Sequence, residues 1–190
     1  MARWKLRDVI VMVVLAIVCG GIYYLSDFLY DVISGAWVPL QGLINGLWMI
    51  ASVLVAYVIR RPGAALLAEM VGASVELLLG SQWGFSNLTS GLVQGVGAEL
   101  AFFIFFYRRY NLPVCLLSGF LASLGCAFQW FWQSGGDKLS ATVIVGYFVA
   151  TLLSGVVLAG WLPKLVGDAL NRAGVVRNFA IGQQTRTLNR

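Results

Sequence analysis

The sequence contains no histidine, three cysteines, four prolines and only 11% charged residues among its 190 positions. Without histidine, the chain lacks the commonest metal ligand and the usual acid–base group at neutral pH. Cys19, Cys115 and Cys126 lie in separate apolar segments, which indicates packing and neither a disulfide framework nor a zinc site. No G-x-x-x-x-G-K-[ST] phosphate loop is present. We therefore expect neither enzymatic activity nor a bound cofactor or metal ion.

Hydrophobic residues dominate the composition. They form 59% of the chain, and the mean hydropathy is +0.83, whereas a soluble domain carries about 25% charged residues. A helix needs about 20 apolar residues to cross a bilayer, so six crossings and their connections use nearly the whole chain. The sequence therefore predicts an all-α integral membrane protein with six transmembrane helices in a single membrane domain, 1–190.

The polar turns between apolar runs place the predicted spans. The spans cover approximately residues 8–28, 40–59, 64–79, 88–107, 113–133 and 139–162, and a basic tail follows at 163–190. The third span is short for a full crossing, as expected where the outer end of a helix borders a polar cavity. The tail could form an interfacial helix, but the plainer interpretation is a loosely ordered basic segment.

The basic residues set the predicted orientation. All thirteen lysines and arginines except Lys138 fall on the amino-terminal side of this arrangement. They stand at positions 3, 5, 7, 60, 61, 108, 109, 164, 172, 177, 186 and 190. Because such an excess marks the cytoplasmic side, both termini are predicted to be cytoplasmic. The net charge of +5 is explained by orientation and attraction to anionic membrane lipid, and no nucleic-acid partner is expected.

Three glutamates, Glu69, Glu76 and Glu99, lie inside predicted spans. A charged side chain at that depth costs about 2.5–3.5 kcal/mol on insertion scales, so each one suggests a function. Glu69 and Glu76 are seven residues apart and share one helix face. Glu76 lies about one turn below the outer end of its span, so we expect it to contact a ligand. Glu99, below Gln94, is expected to form the floor, and Glu69 to be structural.

Amides and aromatic residues concentrate in the outer half of the other spans, on faces with helical spacing. Together with Glu76 and Glu99, the predicted ligand-binding residues are Gln41, Asn45, Trp48, Gln82, Trp83, Gln94, Gln129, Trp132, Gln133 and Tyr147. Each has a plainer explanation, since tryptophans form interfacial belts and amides join helices by hydrogen bonds. Their coincidence at one depth instead favours an outward pocket for a small, flat, polar molecule, and a positive charge would suit the acid.

The chain resembles the substrate-binding S components of energy-coupling factor (ECF) transporters, and within them the YkoE-like thiamin and hydroxymethylpyrimidine family. The likeness rests on the segments WKLRDVI, NGLWMIASVLVAYVIRRPGAALLAE, VELLLGSQWG, LVQGVGAEL and YRRY. It implies a six-helix protein of the bacterial plasma membrane that captures a vitamin from outside. It also implies a transmembrane coupling subunit and cytoplasmic ATPase subunits as partners, and delivery by toppling of the S component in the membrane.

Two questions stay open at this stage. S components often dock on the coupling subunit through an A-x-x-x-A pattern on the first helix, and here only Ala16 and Gly20 have that spacing, with Ala64, Ala65 and Ala68 as small residues elsewhere. The alternative function is a self-sufficient proton-coupled carrier in which Glu69, Glu76 and Glu99 form a relay. A structural subunit without a ligand is a third alternative.

Overall fold

The structure, a computed structural model, describes residues 4–35 and 37–183; the basic residues Arg3, Arg186 and Arg190 lie outside this part. Within it every regular element is helical and no strand occurs, which confirms the all-α prediction. The α-helices are α1 (Leu6–Ser34), α2 (Val38–Gln41), α3 (Ile50–Ile59), α4 (Ala64–Leu78), α5 (Ser86–Ile104), α6 (Leu112–Gln133), α7 (Ala141–Ser154) and α8 (Leu162–Arg172).

Four helical stretches of the described chain are long and apolar enough to cross a membrane. They are Leu6–Ile33, Val38–Ile59, Leu112–Gln133 and Ala141–Arg172. The 15 residues of α4 are fewer than the roughly 20 that a full crossing needs. Helix α5 has 19 residues but carries polar side chains along its length. Helix α4 packs against α1, α3 and α5, and α5 packs against α6.

The second stretch changes its helical geometry halfway. Between α2 and α3 the chain forms a 3₁₀ helix, Gly42–Met49, which is long for this tighter geometry. Gly42 and Gly46 let it approach α7, because a Cβ at Gly42 would lie 2.9 Å from the Cβ of Ala150. The backbone N–H of Gly46 donates to Ser154 Oγ at 2.9 Å. The 3₁₀ segment thereby carries Asn45 and Trp48 toward the middle of the bundle.

Helix α1 is longer than its predicted span and lies at the edge of the bundle. It continues to Ser34, past the predicted end of the first span at residue 28, so Asp27 and Asp31 are both helical. Ala16 and Gly20 face inward, and a Cβ on Gly20 would lie 2.7 Å from the Gly72 carbonyl oxygen. These residues pack α1 against α4, so they are not an exposed docking pair. The same holds for the fully buried Ala64, Ala65 and Ala68.

The segment after residue 162 is ordered, which corrects the prediction of a loose tail for its described part. Helix α8 packs on α3, where a Cβ on Gly167 would meet the ring of Tyr57 at 2.7 Å. Beyond α8, the side chains of Val176, Phe179 and Ile181 are buried in the hydrophobic core. Burial of these apolar side chains holds the segment down, although it is rich in basic residues.

The two ends of the bundle differ. At the end that holds the first and last described residues, Trp4 Nε1–H donates to the Pro62 carbonyl oxygen at 3.2 Å. Arg61 pairs there with buried Asp8 at 3.3 Å. We name this the closed end. The opposite end, where α1 finishes and the α4–α5 turn lies, contains a cavity and is named the cavity end.

Candidate functional site: a cavity with acidic and aromatic walls

A cavity of about 440 Å³ opens between the helices at the cavity end. This volume is in the range of small-molecule binding sites. Its walls are formed by Tyr23, Tyr30, Asn45, Trp48, Glu69, Ala73, Glu76, Trp83, Ser86, Asn87, Ser90, Gly91, Gln94, Cys126, Gln129, Trp130, Gln133, Ser134 and Tyr147. These residues come from α1, the 3₁₀ segment, α4, the α4–α5 turn, α5, α6 and the chain after it, and α7.

Near the mouth, two carboxylates meet around one hydroxyl group. Ser81 Oγ lies 2.5 Å from Asp27 Oδ2 and 3.3 Å from Glu76 Oε1. Each acid also accepts an indole N–H, Glu76 from Trp48 at 3.1 Å and Asp27 from Trp83 at 3.0 Å. We name Asp27, Glu76 and Ser81 the outer acidic cluster. Two buried acids this close repel one another unless a proton or another positive charge lies near them, so the cluster favours a cation.

Glu69 lies deeper in the wall, and its two oxygens differ. Oε2 accepts from the Tyr23 hydroxyl at 3.0 Å and from the Ser52 N–H at 3.1 Å. Tyr23 is itself held by the N–H of Ala51, 2.9 Å from its hydroxyl oxygen. Oε1 is buried and has no hydrogen-bond partner among the described residues. The sequence predicted a structural acid; the structure gives Glu69 structural hydrogen bonds and also a place in the cavity wall.

Aromatic rings form two other parts of the wall. Trp130 of α6 stacks on Tyr147 of α7 with ring centroids 3.7 Å apart and an interplanar angle of 16°. Tyr30 makes edge-on contacts with Trp48 at 5.8 Å and Trp83 at 5.4 Å. Packed rings are rigid and present flat apolar faces, on which another flat ring can stack. The cavity thus combines ring faces with carboxylates.

Amide side chains complete the lining. Asn45 Nδ2 donates to the Tyr147 hydroxyl at 2.8 Å and to Thr151 Oγ1 at 2.9 Å, which joins the 3₁₀ segment to α7. Gln129 Nε2 donates to Gln133 Oε1 at 2.9 Å. Asn87 Nδ2 is buried and has no partner among the described residues. Most cavity amides are therefore held by neighbours, and Asn87 is an exception.

The structure brings most of the predicted residues to this cavity. The wall contains Glu76, Trp48, Asn45, Trp83, Gln94, Gln129, Gln133 and Tyr147. Gln41 lies behind it, where its Oε1 accepts from the Tyr30 hydroxyl at 2.8 Å. Gln82 is exposed outside the wall and donates to Asp31 at 3.0 Å. Both residues therefore support cavity side chains or the rim and do not line the cavity.

Two predicted residues lie far from the expected position. Trp132 is 74% exposed and packs edge-on against Phe131. Residues two apart on a helix point to different sides, so Trp132 and Trp130 cannot both face the cavity. Its neighbour Trp130 faces the cavity, and the interfacial-belt explanation fits Trp132 better.

Glu99 is at the closed end and does not form the cavity floor. It accepts from the N–H groups of Gly63, Ala65 and Leu66 at 2.6, 2.9 and 3.2 Å.

Several wall residues were missed from the sequence. The main ones are Tyr23 and Tyr30 of α1, Asn87 of α5 and Trp130 of α6, and Asp27 of α1 lies behind the wall in the outer acidic cluster. Helix α1 shows a usable signal, since Tyr23, Asp27 and Tyr30 follow i, i+4, i+7 spacing within an otherwise apolar helix. That polar stripe predicts an inward face. Trp130 had no such signal, because aromatic residues surround it.

Three comparisons place this geometry among known proteins. Residues 7–125 match the family model of the permease component of an ABC-type cobalt transport system. The chain is 37% identical over 187 residues to the Bacillus subtilis (strain 168) protein named "Putative HMP/thiamine permease protein YkoE", covering 98% of this chain and 94% of that protein. A crystal structure of an S component of an ECF transporter matches with a TM-score of 0.95 and 36% identity, covering 98% and 95% of the two chains.

Proposed function

The chain belongs to the YkoE-like family of ECF-transporter S components, and from this premise we propose that it captures thiamin or hydroxymethylpyrimidine from outside a bacterial cell. It is a multi-pass membrane protein and a vitamin-uptake subunit. The choice of vitamin is our proposal, supported by the HMP/thiamine permease name of the Bacillus relative and by the chemistry of the cavity.

The observation that carries this proposal is the presence of stacking faces and an acid pair in one cavity. Thiamin joins a flat aminopyrimidine to a positively charged thiazolium. Trp130 and Tyr147 supply ring faces, and the outer acidic cluster supplies negative charge. No lysine or arginine lines the cavity within the described chain. The lining thus suits a flat, neutral or cationic ligand.

We also propose the orientation and the assembly. All six predicted spans cross the membrane, as one domain over 1–190, with the closed end in the cytoplasm and the cavity facing outward. Arg60 and Arg61 at the closed end, opposite Lys138 beyond α6, support this orientation. A transmembrane coupling subunit and cytoplasmic ATPase subunits would supply the energy, and this chain is proposed as a binding subunit and not as an enzyme.

The direct test is calorimetric titration of thiamin and of hydroxymethylpyrimidine into the purified chain without partner subunits. We expect saturable binding with one site per chain, and tighter binding of thiamin because only thiamin carries the cation. Absence of binding for both ligands would contradict the proposal. Tighter binding of hydroxymethylpyrimidine would keep the family function but remove the role of the outer acidic cluster in cation binding.

The proton-coupled carrier remains a measurable alternative. Glu99 argues against the three-acid relay, because its oxygens are occupied by the backbone N–H groups that begin α4. Proteoliposomes that contain only this chain should show binding but no uptake driven by a proton gradient. Uptake under that condition would support the carrier and contradict the S-component mechanism for this chain.

A further inference from the structure

Two buried polar atoms stand out among the cavity walls. Glu69 Oε1 and Asn87 Nδ2 have no hydrogen-bond partner among the described residues, and both residues line the cavity. Other polar groups around them are paired, such as Asn45, Trp48 and Trp83. A buried polar group without a partner destabilises a protein, so such a pair at a cavity suggests a ligand that supplies the missing hydrogen bonds.

The packing of α4 on α5 puts these two atoms along one wall. A Cβ on Gly95 would lie 3.1 Å from the Glu69 Cβ, and one on Gly91 would lie 2.7 Å from the Ala73 Cβ. Asn87 is eight residues before Gly95, so its backbone lies roughly 12 Å nearer the mouth at 1.5 Å per residue. A six-membered ring with one hydrogen bond of about 2.9 Å at each of two opposite edges has a comparable length.

The chemistry of the two atoms is complementary. Glu69 Oε1 belongs to a carboxyl group whose other oxygen accepts two hydrogen bonds, so an ionised Glu69 offers an acceptor. Asn87 Nδ2 offers a donor. A ligand that fits them carries an N–H donor at one edge and a lone-pair nitrogen or oxygen at another. An aminopyrimidine has this pattern, with an exocyclic amino group and unprotonated ring nitrogens.

We propose that Glu69 and Asn87 are the specificity-determining pair of the cavity, with Glu69 accepting from the ring amino group and Asn87 donating to a ring nitrogen. This inference rests on the proposed function and deepens it, because it orients the ligand. The aminopyrimidine lies along the α4–α5 wall. A cationic second ring then lies toward the outer acidic cluster, near Trp83 at the rim.

The test uses two ligands that differ only along the amino edge of the pyrimidine ring. One is thiamin, and the other is the analogue in which oxygen replaces the pyrimidine amino group and the adjacent ring nitrogen carries hydrogen. The analogue inverts the donor and acceptor pattern. We expect the wild-type chain to bind thiamin about 100-fold more tightly, because sites built to hydrogen-bond a group reject ligands that cannot pair with it. Equal binding of the two would overturn the proposal.

The decisive variant is Glu69→Gln, whose amide can donate to the oxygen of the analogue. We expect the preference for thiamin to fall from about 100-fold to less than about tenfold. Glu99→Gln and Glu76→Gln are matched controls with the same chemical change. Glu99→Gln should leave both affinities unchanged, and Glu76→Gln should weaken both ligands together without changing their ratio. Equal loss of both ligands in Glu69→Gln would show a structural role only and would contradict the assignment.

Asn87 gives a second readout if Glu69→Gln does not fold. Asn87→Asp keeps the shape of the side chain and replaces the donor by an acceptor, so thiamin binding should weaken at least about tenfold. Its control is Asn111→Asp, the same chemical change at the start of α6 and outside the cavity wall, where the side-chain oxygen accepts from the Val114 N–H at 3.4 Å. Unchanged binding in Asn87→Asp would refute its role. Failure of the wild-type chain to bind either thiamin or hydroxymethylpyrimidine would instead refute the proposed function.

Discussion

The α4–α5 hairpin holds acids at both ends of the molecule, and they are used differently. At the closed end, the carboxylate of Glu99 accepts three backbone N–H groups at the start of α4. These are groups that have no partner within the helix, so Glu99 completes the helix end and complements its dipole. At the cavity end, Glu76 accepts from two side chains, Trp48 of the 3₁₀ segment and Ser81 of the α4–α5 turn, and Glu69 keeps one oxygen without a partner among the described residues.

This comparison teaches that depth in the membrane does not by itself identify a functional acid. Burying each of the three glutamates costs free energy, so burial alone does not distinguish them. Their hydrogen-bond partners do, because they differ between a structural acid and an acid that faces the cavity. Both carboxylate oxygens of Glu99 accept backbone N–H groups at the start of α4, so the role of Glu99 is structural. The acids of the cavity differ from Glu99. Glu76 accepts from side-chain donors, and Glu69 has one oxygen without a partner among the described residues.

The largest effect is expected for Glu76→Gln, which removes one negative charge from the outer acidic cluster. Thiamin binding should weaken about 100-fold, or about 2.7 kcal/mol, because a buried charge contact to the cation is lost. Titration calorimetry measures the dissociation constant. Thermal unfolding in detergent should change little, because the amide still accepts from Trp48 and Ser81. Unchanged thiamin affinity would remove Glu76 from the site.

Glu99→Gln should show the opposite behaviour. An amide oxygen can replace only part of the three hydrogen bonds made by the carboxylate, so we expect about 2 kcal/mol of destabilisation, seen as a lower midpoint of thermal unfolding. The affinity of the folded protein for thiamin should stay within about twofold of wild type. A large loss of affinity at unchanged stability would mean that the closed end contributes to binding.

Two tryptophans on α6 test the cavity wall directly. Trp130→Ala should weaken thiamin binding about 30-fold, because it removes one ring of the pair stacked at 3.7 Å. Trp132→Ala changes the same residue type two positions away on the exposed side, and it should leave the affinity within about twofold. Equal effects of the two substitutions would contradict the rotation of α6 in the structure.

The smallest effect concerns a native thiol. Cys126 lines the cavity, whereas Cys115 is fully buried beside the closed end. Thiamin at ten times its dissociation constant should slow modification of Cys126 by a small thiol reagent about tenfold, by simple occupancy. Mass spectrometry of the labelled peptide reports the rate, and a Cys126→Ser variant serves as the blank. Modification of Cys126 that thiamin does not slow would place the ligand elsewhere.

Much of the cavity wall could be predicted from helical periodicity. Glu69 and Glu76 share a face at a spacing of seven, and both line the cavity. Asn45 and Trp48 also line the cavity, and they stood out in the sequence because polar residues are rare on their span and therefore mark its inward side. Helical periodicity does not identify the inward face where neighbouring residues have the same chemical character. In the run Phe128–Gln133 aromatic residues occupy several faces, and nothing local distinguishes Trp130 from Trp132.

Glu99 shows a different limit. Its partners are 33 to 36 residues earlier in the chain, at the turn before α4. Position along a span gives the depth of an acid but not which helix end approaches it. The same limit applies to Ala16 and Gly20, which were considered as a docking pair: small side chains permit close approach but do not say whether the neighbour is α4 or a partner subunit.

Composition and hydropathy alone were enough to predict the membrane class and the helical fold. These properties follow from hydropathy and from the fixed rise of a helix. Only the tertiary structure decided which helix faces meet around the cavity, because lipid and protein core accept apolar side chains almost equally well. Hydrophobicity therefore does not set the rotation of a membrane helix. Close contacts at glycines and a few buried hydrogen bonds set it, and they join residues far apart in the chain.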